Sequence, residues 1–361
     1  MRGLTATLLI LLGTTLAAQD PSPAPASDVR PSFTEWLEAV RTEAVARGIS
    51  AATVASALSD IPEPMPVVIE RDRTQAETVL PLDTYIERHL RSDTIRRGRE
   101  MTSRYRRELD EVASDYGVPA PIIAGIWGIE SNFGSFSGSR PTIPALATLA
   151  YDPRRSTLFR RELFAALEIV DRGDIEHRRM RGSWAGAMGQ PQFMPSSYLD
   201  YAVDYDGDGR KDIWTTAVDV FASIGNYLSG HGWASGQPWV QEVATSKDVS
   251  TTIAADIPRR TGSCSAKRDM TVAKTLSEWQ EIGVRTVSGR SLPQSAALAS
   301  LVSGVNRTFL VFENYDALLE YNCAHAYALS VALLGERIYR GQTTPLPTAA
   351  PRKGRAPRGP L

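Results

Sequence analysis

At 361 residues the chain is too long for one small core, and its 42% hydrophobic and 22% charged residues are those of an ordered, packed protein. A formal net charge of −1 removes any global electrostatic case for nucleic acid or an anionic membrane. Two cysteines and four scattered histidines offer no four-ligand zinc spacing, so zinc chemistry is excluded.

Residues 1–18 carry Arg2, an apolar run from Leu4 to Leu12, and the small-residue end Thr15-Leu16-Ala17-Ala18. That is the pattern of a secretory signal peptide, and the run is too short to span a bilayer. A retained N-terminal anchor is the rival reading. No cysteine follows for a lipid anchor, and no later apolar run reaches a spanning length. The expectation is a soluble, periplasmic protein with no membrane span. Export makes a disulfide between Cys264 and Cys323 chemically possible, and an even pair without metal partners favours it. Such a bond would tie an inserted unit to a returning helix, remote from any chemistry.

Residues 19–31, rich in Pro, Ser, Ala and Asp, read as a flexible leader. A helical region is expected over 32–116. It opens on the capping box Ser32-Phe33-Thr34-Glu35, with Phe33, Trp36, Leu37, Val40 and Ala44 at helical spacing as far as Gly48. Ser50 caps a second helix running through Leu58. Pro62, Pro64 and Pro66 then predict an extended connection, and Pro81 to Tyr116 is helical again with a break near Ser92. Residues 117–239 form a string of helices separated by Gly-rich turns. Beyond Trp239 the helical stripes shorten, and Thr286-Val287 and Phe309-Leu310-Val311-Phe312 read as strands. The fold class is therefore mainly α, with a small mixed α/β unit inserted at 240–312 and a helix returning over 313–340. The basic, Pro-rich residues 341–361 read as a disordered tail, a tether to an anionic wall being the other reading.

The segment Gly117–Gly134 contains the first candidate for chemistry. Pro119 and Pro121 suit a first helical turn, and Ile123, Ile126, Trp127 and Glu130 follow at i, i+3, i+4 and i+7. Glu130 thus shares an apolar stripe, where desolvation disfavours its charged form, as a general acid at neutral pH requires. On periodicity alone, a glutamate at a helix end reaching water is the equal alternative. The segment Gly182–Ser196 (Gly-Ser-Trp-Ala-Gly-Ala-Met-Gly-Gln-Pro-Gln-Phe-Met-Pro-Ser) combines small residues with amides, a hydroxyl and a thioether suited to holding a sugar. A tight helix crossing is its bland reading.

Together, Glu130-Ser131-x-x-Gly134 and, some fifty residues on, Gly186-Ala187-Met188-Gly189-x-x-Gln192-Phe193-Met194-Pro195-Ser196 resemble the lytic murein transglycosylases of the soluble B type. The resemblance covers about residues 33–340. Supporting matches are Ala145–Tyr151, Pro153-Arg154-Arg155, Asn226-Tyr227 before His231-Gly232-Trp233, and Tyr321-Asn322 with Tyr327. It implies a lysozyme-like helical catalytic core over 117–239, with Glu130 as acid/base. It also implies that Ser183, Gln192, Tyr227, Tyr321, Asn322 and Tyr327 line a groove for peptidoglycan glycan strands. Tyr85 is a further groove tyrosine on a thinner local match. Arg154 and Arg155 would sit near peptide or lactyl carboxylates, which a guanidinium fork suits; a solvated basic turn is their bland reading. Other cell-wall enzymes are expected partners.

Asp204-Tyr205-Asp206-Gly207-Asp208-Gly209-Arg210-Lys211-Asp212 follows the opening of an EF-hand loop. It departs at the twelfth position, where Thr215 replaces the bidentate glutamate. Asp219, as the resemblance also suggests, supplies that ligand. A structural calcium ion is expected on Asp204, Asp206, Asp208, the Arg210 carbonyl and Asp219, against an ordinary Asp/Gly turn without metal. No cofactor is expected for catalysis.

Ordinary glycoside hydrolysis uses two carboxylates. Among the acids that follow Glu130, Asp152 and Glu162 lie in no specific motif. The resemblance supplies a one-acid route instead. Glu130 protonates the glycosidic oxygen leaving N-acetylmuramic acid and then takes the proton of that sugar's C6 hydroxyl. Intramolecular attack gives a 1,6-anhydro end with an effective-molarity advantage over water. The rivals are a hydrolytic, lysozyme-like muramidase and a non-catalytic peptidoglycan-binding scaffold.

Overall fold

The structure, a computed structural model, describes residues 30–74 and 80–340. The signal-peptide reading, most of the leader and the basic tail lie outside those residues. Three helices open the described chain: α1 Phe33–Ala46, α2 Ala51–Ala57 and α3 Pro66–Thr74. Ser32 and Glu35 form the reciprocal capping box of α1, and the Ser50 side chain accepts from the Thr53 amide to start α2. The expected extended connection at the prolines is shorter than the sequence suggested. Pro66 itself opens α3, because a fixed φ and a missing N–H cost nothing in a first turn.

Three more helices follow, α4 Leu82–His89, α5 Ser92–Arg104 and α6 Arg106–Tyr116. The first break falls at Leu90-Arg91, next to the expected Ser92; a second, at Tyr105, is unannounced by Gly or Pro. The central body consists of α7 Ala120–Ser131, α8 Thr142–Tyr151, α9 Ser156–Asp171, α10 Pro195–Tyr201 and α11 Ala217–Gly230. Two short strands, β1 Arg140–Pro141 and β2 Arg181–Gly182, pair antiparallel beside them.

Helix α7 is buried almost all round, as expected of a helix apolar on every face. Trp127 is packed edge-on against Tyr105, Phe133 and Phe221 with ring centroids 4.8–5.9 Å apart. The last long helix, α16 His325–Tyr339, crosses α7 at backbone contact. A Cβ on Gly125 would stand 2.3 Å from the Val331 carbonyl oxygen, and one on Gly335 2.1 Å from that of Pro121. Glycine at both positions is what brings these helices together. Residues at the start of α16 are thereby held against the end of α7.

Between α11 and α16 the chain forms a five-stranded antiparallel sheet. Its strands are β3 Val240–Ala244, β4 Lys274–Thr275, β5 Arg285–Thr286, β6 Leu298–Ser303 and β7 Thr308–Val311, in spatial order β4-β6-β7-β3-β5. Helices α12 Lys247–Asp256, α13 Ser265–Asp269 and α14 Leu276–Ile282 accompany it, and α15 Asn314–Tyr321 leads back to α16. Side chains alternate across the sheet. Phe309 and Val311 join the main helical core, whereas Leu310 joins a second core with Trp279, Val243 and Leu301. The fold is mainly helical with one small antiparallel sheet. No helix among the described residues is long and apolar enough to cross a membrane.

Candidate active site

Glu130 is the penultimate residue of α7 and is half-buried. The helix is stopped just beyond it. Asn132 and Phe133 take left-handed backbone conformations (φ 48° and 57°), and Ser131 donates to the Trp127 carbonyl while accepting from the Gly134 amide, both at 3.0 Å. The carboxylate is therefore presented at a fixed helix end.

Facing it are α15 and the start of α16. The buried Tyr327 phenol lies near the Glu130 carboxylate, and burial first, then that negative charge, raise it well above its ordinary pKa. Tyr321 is raised in the same way, again by burial and then by Glu130. Both phenols are thus protonated donors throughout any working pH range. Tyr85, on α4, lies close enough to Tyr327 to add to its shift, and its ring stacks on His89 at 4.3 Å.

The loop between β2 and α10 closes another side. Met188 bridges back to both Gly182 and Phe193, and the Ser183 hydroxyl accepts from the Ala185 and Ala187 amides at 3.2 and 3.1 Å. Gln192 sits at φ 52° with its amide nitrogen donating to the Gly189 carbonyl at 2.8 Å. The Pro191 carbonyl accepts the Tyr321 hydroxyl at 2.6 Å, and the Glu320 carbonyl accepts that of Tyr227 at 2.8 Å. Phe193, Tyr227, Tyr321 and Tyr327 follow one another at ring spacings of 5.5, 4.7 and 6.1 Å. Phe193, Tyr227 and Tyr327 are buried and Tyr321 is partly exposed, so the rings form a packed aromatic wall beside one half-buried carboxylate that can deliver a proton.

The remaining candidates are placed less directly. Asn322 is exposed in the turn between α15 and α16. Arg154 and Arg155 are held elsewhere: their guanidinium groups contact the buried Asp72 carboxylate at 2.8 and 2.7 Å, and Arg154 also holds Asp152 at 2.7 Å. Glu162 is also occupied, accepting from the Ser196 amide and hydroxyl at 2.9 Å each and so capping α10. Neither Asp152 nor Glu162 is available as a second catalytic carboxylate.

Sequence reasoning missed Gln190. Its carbonyl oxygen accepts from the Trp127 indole at 2.7 Å, and its amide donates to the Trp214 carbonyl at 2.9 Å, so one buried side chain joins α7, the 182–193 loop and the acidic loop. The signal lay in the segment already singled out, but an amide two residues before Gln192 carries no mark of its role. His231, whose ring lies tilted against Tyr227 at 4.3 Å, was also missed as a neighbour of the groove.

In the acidic loop, carboxylate oxygens of Asp204, Asp206 and Asp219 lie within 4.8 Å of one another. Asp219, buried in the first turn of α11, accepts from the Tyr205 and Asp212 amides at 2.8 and 2.9 Å. Burial nevertheless pushes its carboxyl up to about 6. An all-oxygen set around a carboxylate whose charge is disfavoured by desolvation suits a hard cation such as calcium. Asp208 accepts from the Arg210 amide at 2.8 Å and is not part of that close group; Asp212 binds the Trp214 and Thr215 amides at 2.9 and 2.8 Å.

Cys264 and Cys323 are joined, with S–S 2.06 Å and Cα–Cα 5.7 Å. Cys323 lies in the turn between Tyr321 and Tyr327, so the bond is not remote from the site as the sequence suggested.

A mainly helical fold with one carboxylate at a helix end, facing an aromatic groove, defines a class, and the chain belongs to it: residues 32–336 match the transglycosylase SLT domain family. Within that family it is 31% identical over 258 residues to membrane-bound lytic murein transglycosylase B of Escherichia coli, covering 70% of this chain and 66% of that protein. The chain thus spans just under two thirds of that relative's length. SltB3 from Pseudomonas aeruginosa, solved in complex with NAG-anhNAM-pentapeptide, superposes with a TM-score of 0.77 at 41% identity, covering 86% of this chain and 80% of that one. The Escherichia coli lytic transglycosylase Slt35, solved in complex with calcium, gives 0.70 at 26% identity over 88% and 95%.

Proposed function

We propose that this chain is an exported, periplasmic lytic transglycosylase. It cleaves the MurNAc-β-1,4-GlcNAc bond of peptidoglycan and leaves a 1,6-anhydro-MurNAc end, with Glu130 as its single acid/base. The observation that carries the reading is the Glu130 carboxylate set against the Tyr327 phenol, while Asp152 and Glu162 are committed to other partners. In the first step Glu130 gives its proton to the leaving glycosidic oxygen. The carboxylate then accepts the proton of the C6 hydroxyl as that oxygen closes on the anomeric carbon. Tyr327 and Tyr321 stay protonated, so neither phenol competes with Glu130 as the acid or base. The anhydro sugar held by SltB3 supports this direction over hydrolysis.

Gln192, Tyr227, Tyr321, Asn322 and Tyr85 line the glycan groove in this reading, with Ser183 shaping its loop. Asp204, Asp206 and Asp219, with Asp208 and the Arg210 carbonyl beside them, hold one structural calcium ion, as the calcium complex of Slt35 supports. The test is Glu130→Gln, which is isosteric. Its rate of peptidoglycan digestion falls at least about a hundredfold, the scale of a lost general acid, with the melting temperature retained. Digestion at the wild-type rate would overturn the assignment.

A further inference from the structure

A pyranose ring presents a face of C–H groups, and an aromatic side chain open to water is a surface suited to cover it. The rings of the wall beside Glu130 are packed on one another and leave little free face. Among the described residues only one aromatic ring is mostly open to water: Phe136, 59% exposed. It lies six residues beyond Glu130, on the loop that follows α7. Phe133, three residues earlier, is buried against Trp127, so this loop buries one ring and leaves the other out.

The loop is pinned from both sides of the site. The Phe136 amide donates to the Ser131 carbonyl at 3.0 Å, and the Ser135 hydroxyl donates to the Asn132 carbonyl at 2.8 Å. The Phe136 Cα is therefore no more than about 11 Å from the Glu130 Cα. Gly134, at φ 74°, has no room for a Cβ, which would collide with the side-chain amide of Gln190. From the other side, the Gln192 side-chain amide donates to the Ser137 carbonyl at 3.4 Å, and Gly138 packs on the backbone of Gly182. The exposed ring thus stands on a backbone held between the Glu130 helix and the loop of Ser183 and Gln192.

We propose that Phe136 is a specificity-determining residue: a stacking platform for an amino-sugar ring of the strand, flanking the cleaved bond. The inference rests on the glycan reading of the groove and adds a ring contact that the packed wall does not supply. Covering an apolar ring removes it from water, and a backbone already fixed keeps the ordering cost of that contact low. A contact made equally before and during the reaction acts on KM and leaves kcat alone.

The experiment follows digestion of soluble, uncross-linked peptidoglycan strands by wild type, Phe136→Ala, Phe136→Leu and Phe136→Trp. KM rises about tenfold in the alanine and leucine variants, with kcat and melting temperature unchanged, and stays near wild type with tryptophan. A wild-type KM in the alanine variant overturns the platform. A leucine variant that matches wild type also overturns it, because apolar bulk would then suffice without a ring. A lowered melt in the alanine variant overturns it too, by making the ring structural. A wild-type protein that leaves the strands intact would instead overturn the glycan reading, so the two failures are distinct.

Discussion

Trp127 and Glu130 are one helical turn apart, so whatever fixes the indole also fixes the carboxylate. Gln190 does this from outside the helix, satisfying the buried Trp127 N–H and the Trp214 carbonyl at once. Gln190→Leu keeps the bulk but leaves both groups without partners, at a cost of about 2–4 kcal/mol. A thermal melt several degrees below wild type is the expected outcome; an unchanged melt would show that the amide does no structural work. Glu130 stood out in the sequence through the family resemblance of Glu130-Ser131-x-x-Gly134 together with the following Gly-rich segment; its apolar stripe alone left a helix-end glutamate reaching water as the equal alternative. Gln190 did not stand out, since its importance depends on two partners, 63 and 24 residues away, that only folding brings together.

The turn between α15 and α16 carries Asn322 and Cys323, with Tyr321 and Tyr327 on either side. Residues 260–267 are strapped onto it. Arg260 grips Asp316 through two contacts at 3.0 and 2.6 Å, Lys267 pairs with Glu320 at 2.6 Å, and Cys264 is bonded to Cys323. The sheet-containing unit therefore braces the aromatic wall of the groove. Replacing Cys264 and Cys323 by serine removes about 4 kcal/mol on a chain-entropy estimate, less whatever the two ion pairs retain. Because the strap holds Tyr321 and Tyr327, turnover at a temperature well below the melt also drops several-fold. Full turnover in the double variant, with only its melt lowered, would restrict the bond to stability. Periodicity read 313–340 as one helix, since the apolar positions remain nearly in phase across the break. The interruption that builds the site was thus hidden, while the capped helix α1 and strand β7 were plain from local pattern.

Across the whole molecule, the acidic loop, the Gly-rich loop and the Glu130 helix form one connected path through Gln190. The buried Asp219 makes the loop responsive to a cation. Without the usual glutamate at the twelfth position, affinity is expected at about 10⁻⁴–10⁻³ M. Added calcium should raise the melting temperature of chelator-treated protein over that range, and Asp219→Asn should abolish the rise. A melt that stays constant to several millimolar would leave the loop an ordinary acidic turn. The central claim is that one carboxylate, with no water as nucleophile, opens the glycan strand. It is tested most directly by digesting purified peptidoglycan and weighing the released muropeptides: products lighter by one water than the hydrolytic ones are predicted, and products of full hydrolytic mass would contradict it.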